Sequence, residues 1–259
     1  MRDEMEPVPS FDLTGRVALV TGAARGLGRA SALALASAGA TVALGLRDVQ
    51  SDRGLVQLIE RRGGTAIAAQ MDVTDLPQCY RAVDVIVGGL GGIDILVNSA
   101  GVVPIAPVLE FGRAEWDATI AVNLTAAFEL SFEVARHMVP RRSGKIINVC
   151  SLFSFLGGRF SPAYAASKHG IAGLTKAYCD ELAPYGIQVN GIAPGYYATA
   201  LTAPTRNDPE ASKRISDRIP SGRWGEPLDL MGTVVFLASR ASDYVNGQIL
   251  AVDGGYLVR

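Results

Sequence analysis

The chain has 259 residues, 49% of them apolar and 19% charged, a composition that buries a sizeable core and excludes a disordered chain. Its 24 basic and 25 acidic side chains leave a formal charge of −1 with no block of like sign, so neither a nucleic-acid nor a membrane partner is expected. Cys79, Cys150 and Cys179 lie far apart with no CxxC, and His137 and His169 stand alone without clustered ligands; reduced thiols and no metal site are the expectation.

Residues 1–10, "MRDEMEPVPS", are acidic and proline-bearing with no apolar core, which predicts a tail, not a secretory signal, on a cytoplasmic protein. From residue 11 onward, short aliphatic runs alternate with segments of helical period. The runs predict strands at 16–21, 41–46, 66–73, 93–98, 144–150, 186–192 and 248–253. Between them, helices are predicted near 26–38, 51–62, 75–88, 113–138, 162–183 and 227–239. Such alternation implies an α/β fold of one domain, 11–259, with a seven-stranded parallel sheet covered on both faces by helices.

The first strand–helix junction, "VALVTGAARGLGRASALALASAGA", is rich in glycine. Gly22 leaves the strand where a positive φ is useful, while Gly26 and Gly28 let backbone approach a diphosphate and the sheet. The helix that follows points free N–H groups and its positive dipole end at the same anion. The spacing is G-x-x-x-G-x-G, not GxGxxG. In open α/β sheets the end of the second strand selects the dinucleotide, an acid binding a ribose 2′-hydroxyl and a base accommodating a 2′-phosphate. Here "ALGLRDVQ" offers both Arg47 and Asp48, and Arg25 in the glycine loop also lies within reach. Arg47 and Asp48 read equally well as solvated loop charges, so the residues alone leave NAD and NADP open.

The fifth strand ends at Cys150–Ser151, and "SPAYAASKHGIAGLTKAYCDELA" opens 10 residues later with Ser161 as N-cap and Pro162 at the first helical position. Tyr164 and Lys168 then lie one turn apart on one face, with only small residues between them. A free tyrosine titrates near pH 10, too high for acid–base work at neutrality, and a neighbouring ammonium favours the phenolate. Bringing a tyrosine to neutrality takes about 4 kcal/mol of differential stabilisation. Ser151, at the strand's carboxyl end, could hydrogen-bond a carbonyl oxygen while Tyr164 protonates it. Asn123, in the middle of a predicted helix, is unfavourable there and needs partners; an ordered water beside Lys168 would supply one. Beyond the sixth strand, "APGYYATALTAPTRNDPEASKRISDRIPSGRWGEP" runs more than thirty residues with five prolines. Its position predicts a substrate lid over about 195–226.

Taken together, Thr21-Gly22-x3-Gly26-x-Gly28, Asp72–Val73, "NSAG" at 98–101, Asn123, Ser151, Tyr164-x3-Lys168 and "PGYYAT" at 194–199 resemble the short-chain dehydrogenase/reductase family over nearly the whole chain. The resemblance implies a Rossmann-type doubly wound sheet, an NAD(P) cofactor and a catalytic tetrad of Asn123, Ser151, Tyr164 and Lys168. It implies that Gly22, Arg25, Gly26, Leu27 and Gly28 hold the diphosphate, and that Asp72 and Val73 face the adenine. Asn98 would fix the fourth strand, with Ala100 and Gly101 at the cofactor, while Pro194, Gly195, Tyr197 and Thr199 hold the nicotinamide carboxamide beside Tyr164 and Lys168. Leu46 stands where NAD-preferring members carry an acid and Arg47 follows it, which tilts the expectation toward NADP. Ser99 replaces the more usual asparagine and weakens the expected hydrogen bonding of that turn. The C-terminal phrases "GRWG" and "DLMG" resemble the sugar-acid dehydrogenase branch, so a keto-deoxy sugar acid or related hexonate is the expected substrate, bound by Ser151, Tyr164, Arg159, Tyr196 and Arg206. Two alternatives are a 3-oxoacyl-thioester reductase and a non-catalytic dinucleotide sensor, against which the intact tetrad argues. The family's habit implies a homotetramer, or a dimer, built on the long helices and the C-terminal segment.

Overall fold

Short runs dense in valine, isoleucine, leucine and alanine form the seven strands: β1 (Val17–Thr21), β2 (Thr41–Leu46), β3 (Thr65–Gln70), β4 (Ile95–Asn98), β5 (Gly144–Val149), β6 (Ile187–Pro194) and β7 (Ile249–Val252). The structure is a computed structural model and describes residues 8–259; the predicted tail's residues 1–7 lie outside the described residues. All pairings are parallel, in the order β3-β2-β1-β4-β5-β6-β7. Every residue of β1, β4 and β5 is buried, as expected of strands covered on both faces. β3 and β7, at the two edges, remain partly exposed.

The helices are α1 (Gly26–Ser37), α2 (Leu55–Arg61), α3 (Leu76–Leu90), α4 (Arg113–Ile120), α5 (Ala126–Arg141), α6 (Pro162–Leu182), α7 (Ala203–Arg206), α8 (Pro209–Arg218) and α9 (Pro227–Ala238). One face of the sheet packs Val42, Leu44 and Ile147 against Leu35 of α1 and Val234 and Leu237 of α9. The opposite face packs Leu19, Leu96 and Val189 against Val83 and Ile86 of α3 and Leu130 and Val134 of α5. The sheet's winding reverses between β1 and β4, so a crevice opens beyond their carboxyl ends.

Several expectations are corrected. The helix predicted at 51–62 is broken, because Arg53 and Gly54 both adopt positive φ (53° and 67°), leaving a 3-10 turn at Val49–Asp52 before α2. The strand predicted to reach residue 73 stops at Gln70, where Asp72 turns its carboxylate back onto Thr74. The prolyl segment beyond β6 contains α7 and α8, the latter capped by Asp208 accepting from the Glu210 and Ala211 amides. The helix predicted at 113–138 runs from α4 to α5 through a π-helical turn at Ala121–Thr125. By length and composition Arg113–Arg141 could cross a membrane, but half of its most apolar window is buried in the fold, the pattern of a core helix. Finally, ligand-type side chains do cluster: α3 and α5 bring atoms of Asp84, Glu133 and His137 within 4.8 Å of one another. The Glu133 carboxylate already pairs with Arg136 at 3.2 Å.

A polar thread crosses the apolar interior. Asn98 Nδ2 donates to Ser131 Oγ (3.0 Å) and to Asn148 Oδ1 (2.9 Å), and Asn148 Nδ2 donates to Thr175 Oγ1 (2.9 Å). It ties α5, β4, β5 and α6 together, the strand-fixing part expected of Asn98. Removing one member strands buried partners, so Asn98→Ala is expected to cost about 1–3 kcal/mol. Urea unfolding at unchanged m-value would measure it.

Candidate active site

The carboxyl ends of β1, β2, β3, β4, β5 and β6 all carry residues singled out in the sequence. After β1, Gly22 has φ 65° and Gly26 φ 56°. A Cβ at Gly22 would lie 2.9 Å from the Ala100 Cα, and one at Gly28 would overlap the Gly22 carbonyl oxygen. The glycines therefore let three backbones nest. Thr21 completes the nest, its Oγ1 accepting from the Ser99 (3.0 Å) and Ala100 (3.1 Å) amides. The turn is held from β1 by Thr21, and among the described residues the Ser99 side chain makes no hydrogen bond to it.

The first turn of α1 has no side-chain cap and no acidic residue. Its free N–H groups, at Gly26, Leu27 and Gly28, point into the crevice end of the sheet with the positive end of the helix dipole. Arg25 is exposed at the N-cap position, and the Thr199 methyl lies 3.8 Å from where a Gly26 Cβ would be. An uncapped helix end facing a side-chain-free cradle fits a dinucleotide diphosphate. After β2, Leu46 is buried in the core whereas Arg47 and Asp48 are exposed. Asp48 accepts from the Gln50 amide at 2.9 Å. After β3, hydrogen bonds from the Thr74 backbone and hydroxyl hold the Asp72 carboxyl below its usual range, helped by the charge of Arg47. Val73 is half-buried next to it.

Ser151, Tyr164, Lys168 and Asn123 come together through linked contacts. Ser151 follows β5 as the N-cap of a 3-10 turn at Leu152–Ser154, its Oγ accepting from Phe153 N (3.2 Å) while its own amide donates to Ser154 Oγ (3.3 Å). Ser154 in turn donates to the Lys168 carbonyl at 2.6 Å. Lys168 is 4% exposed; its Nζ donates to Val149 O at 2.6 Å and sits 5.5 Å from the Tyr164 ring centre. The Phe153 ring meets Tyr164 edge-on at 5.8 Å. Pro162 begins α6 as expected, but the Ser161 side chain makes no cap bond.

Asn123 has three hydrogen bonds to protein groups. Its Oδ1 accepts from Val102 N and its Nδ2 donates to Val102 O, both at 2.9 Å, and Nδ2 also reaches Ser167 Oγ at 3.1 Å. Ser167 Oγ donates to the Tyr164 carbonyl at 2.8 Å. Asn123 thus locks the segment just after Gly101 to the turn of α6 that carries Tyr164. A π-helical turn, which widens the helix by one residue, is what lets it face both. No spacing signal in the sequence marks that insertion.

After β6, Gly195 is pressed against β7, where a Cβ would fall 2.7 Å from the Asp253 Cα. Pro194 is the last residue of β6. Tyr197 is buried, donates to Val252 O at 3.1 Å, and pairs in a parallel bridge with Gly225; burial pushes its hydroxyl well above the usual tyrosine range. The excursion between these two residues carries α7 and α8.

The substrate-side residues are less concentrated. Tyr196 packs with Trp224 (5.4 Å) and Tyr256 (5.2 Å) and joins Leu152 and Ile219 beneath α8; burial pushes its hydroxyl up to about 12. Arg206 is exposed on α7 with no side-chain hydrogen bond among the described residues. Arg159 opens onto a hollow of about 510 Å³ walled by Val108, Leu109, Glu110, Phe160 and Pro162. Its guanidinium lies 4.6 Å over the Phe160 ring. Cys150 is a buried thiol pushed up to about 11 by burial, an inert neighbour of Ser151.

A family model described as enoyl-(acyl carrier protein) reductase matches residues 22–257. The chain belongs to the short-chain dehydrogenase/reductase family. An uncharacterised oxidoreductase of Escherichia coli (strain K12), YgcW, is 55% identical over 249 residues, 96% of this chain and 95% of the relative. The 2-dehydro-3-deoxy-D-gluconate 5-dehydrogenase of Bacillus subtilis (strain 168) is 47% identical over 250 residues, 96% of this chain and 98% of the relative. A gluconate 5-dehydrogenase from Burkholderia cenocepacia J2315, solved in complex with NADP and tartrate, superposes with a TM-score of 0.94 at 42% identity, covering 97% of this chain and 99% of that one. As a member of this family, the protein is an NAD(P)-dependent oxidoreductase acting on CH–OH groups.

The nested glycines give a direct test of the cradle. Gly28→Ala forces a methyl against the Gly22 carbonyl and toward Ser99 Oγ at 3.1 Å. Dinucleotide affinity, read by quenching of protein fluorescence, is expected to fall at least about tenfold, or roughly 1.4 kcal/mol.

Proposed function

We propose that this protein interconverts a ketone and a secondary alcohol on a keto-deoxy sugar acid or related hexonate, with NADP as its favoured dinucleotide. The carrying observation is Arg159. It lines a hollow together with Phe160 and with Pro162, the first residue of α6, the helix that carries Tyr164. A guanidinium fork binds a carboxylate with two parallel hydrogen bonds, and Glu110 in the same lining would offer acceptors to hydroxyls. Relatives named for 2-dehydro-3-deoxy-D-gluconate and gluconate support an acid of this class. Arg47, exposed beyond β2 with no acid at Leu46, supports the 2′-phosphate, as do the NADP-bound neighbours.

The dinucleotide, when bound in the glycine cradle, supplies or accepts the hydride. The protein's part is the proton and the geometry. In the reductive direction Tyr164 donates its hydroxyl proton to the substrate oxygen as charge develops there, and in the oxidative direction it takes that proton back. Ser151 donates a second hydrogen bond to the same oxygen, an oxyanion-type contact. Lys168 places its ammonium under the Tyr164 ring, held by the Val149 carbonyl. Asn123 acts as a positioning residue through Val102 and Ser167. The excursion 195–226 serves as the lid, with Arg206 on its outer turn and Tyr196 in its packed base.

The apolar walls of the hollow, Val108, Leu109 and Phe160, favour a second reading, a 3-oxoacyl thioester. Initial rates with NADPH and NADH across keto-deoxy hexonates, 5-keto hexonates and a 3-oxoacyl thioester separate the two. Tyr164→Phe is expected to lower kcat about 10²-fold or more while dinucleotide still binds. Arg159→Met is expected to raise KM for a hexonate about tenfold, near 1.4 kcal/mol, with little change in kcat. Turnover of the thioester alone would overturn the sugar-acid reading.

We infer a homotetramer, or a dimer, formed across the outer faces of α5 and α6 and the β7 edge. Phe128 (44% exposed) and Phe132 (49%) stand on α5 beside Tyr178 of α6, and the β7 edge and Val258 are likewise uncovered. Sedimentation of the wild type at four times the monomer mass, reduced by Phe132→Lys, is the expected result.

A further inference from the structure

The parallel ladder of β2 and β3 ends with Leu46 opposite Gln70. Beyond that pair β2 runs into the exposed residues Arg47 and Asp48, and the Gln70 side chain reaches across the strand ends to meet them. Its Nε2 donates to the Arg47 carbonyl at 2.6 Å, and its Oε1 accepts from the Val49 amide at 3.2 Å. One carboxamide therefore brackets the backbone on both sides of residue 48. The far side of the same loop is closed by Ser51 Oγ, which donates to the Asp48 carbonyl at 2.5 Å, and by the Asp48 carboxylate accepting from Gln50. The Asp48 side chain is turned onto its own loop, while the Arg47 guanidinium has no hydrogen bond or ion pair among the described residues and faces solvent.

We propose that Gln70 is a positioning residue for cofactor discrimination: its amide fixes the Arg47–Val49 backbone so that the Arg47 guanidinium is pre-organised for a ribose 2′-phosphate. This rests on the NADP reading above. A long, exposed arginine loses rotamer freedom when it binds a phosphate, and a backbone already fixed at its root removes part of that loss. Both bonds run to main chain, so the effect reaches Arg47 without Gln70 touching the cofactor.

The test uses two probes that differ only in the 2′-phosphate, adenosine 2′,5′-bisphosphate and 5′-AMP, titrated calorimetrically into wild type, Gln70→Ala, the volume-conserving Gln70→Met and Arg47→Ala. Wild type is expected to prefer the bisphosphate. Both Gln70 variants should lose at least about threefold of that preference, with 5′-AMP affinity unchanged, KM for NADPH raised, and kcat and KM for NADH unmoved. Equal weakening of both probes would mean a general structural role and overturn the proposal. So would an unchanged preference in the Gln70 variants alongside its loss in Arg47→Ala, a result that leaves the NADP reading standing. Equal binding of the two probes by wild type would overturn the NADP reading itself.

Discussion

The chain leaving β1 and the chain leaving β4 must pass within van der Waals contact of each other, and the whole site is arranged around that approach. Gly22 has no side chain because the Ala100 backbone occupies the space, and Gly28 has none because the Gly22 carbonyl does. The Thr21 hydroxyl uses both lone pairs to hold the Ser99 and Ala100 amides. With the amides satisfied there, the turn after β4 needs no cap of its own, and α1 keeps its first N–H groups free. Ligand-binding capacity here is a by-product of packing: the closer the two strand ends approach, the less side chain is left to cover the helix terminus.

The same economy of side chain organises the half of the site built on Ser151, Tyr164 and Lys168. Burying an ammonium is unfavourable unless it is hydrogen-bonded, and Lys168 meets that demand with the Val149 carbonyl, at the end of the strand that delivers Ser151. Ser154 then bonds the Lys168 carbonyl while receiving the Ser151 amide. Serine and lysine are thus not independent groups that happen to converge. Their backbones are cross-linked by one hydroxyl, and a shift of α6 against β5 would move both. Asn123 adds the third tie, from the turn after Gly101 to Ser167 and so to Tyr164.

Much of this was legible in the amino-acid order because it is written in short-range chemistry. Seven aliphatic runs gave seven strands, and the glycines of the first junction sit where backbones touch. Tyr164 and Lys168, four residues apart on a helix, had to share a face. What escaped was set by geometry with no local spelling. The π-helical turn at Ala121–Thr125 has no local spelling, so Asn123 reads as misplaced in an ordinary helix although it faces Val102 and Ser167. The α2 segment reads as longer in the sequence than it is because Arg53, a residue with no bias toward positive φ, takes that conformation before Gly54. Gln70 reads as an ordinary exposed strand end until the neighbouring strand is beside it. Asp84 and Glu133, 49 residues apart, meet only because α3 and α5 pack on one face of the sheet.

The excursion beyond β6 is held to this frame at its stem. Its stem is closed by the Tyr197–Gly225 pairing, where the Ala198 amide donates to the Gly225 carbonyl at 2.7 Å and the Gly225 amide to the Tyr196 carbonyl at 2.9 Å. Arg223 grips Asp229 at the start of α9 with two bonds, 2.6 and 2.9 Å. Below the stem, Tyr196, Trp224 and Tyr256 pack with Leu152, the residue after Ser151. The base of the excursion therefore belongs to the rigid frame, while α7 and α8 hang from it with mostly exposed surfaces. The segment is anchored at both ends and packs at its base against Leu152, one residue from Ser151, so its exposed outer turns and the Ser151–Tyr164–Lys168 cluster are held by separate contacts.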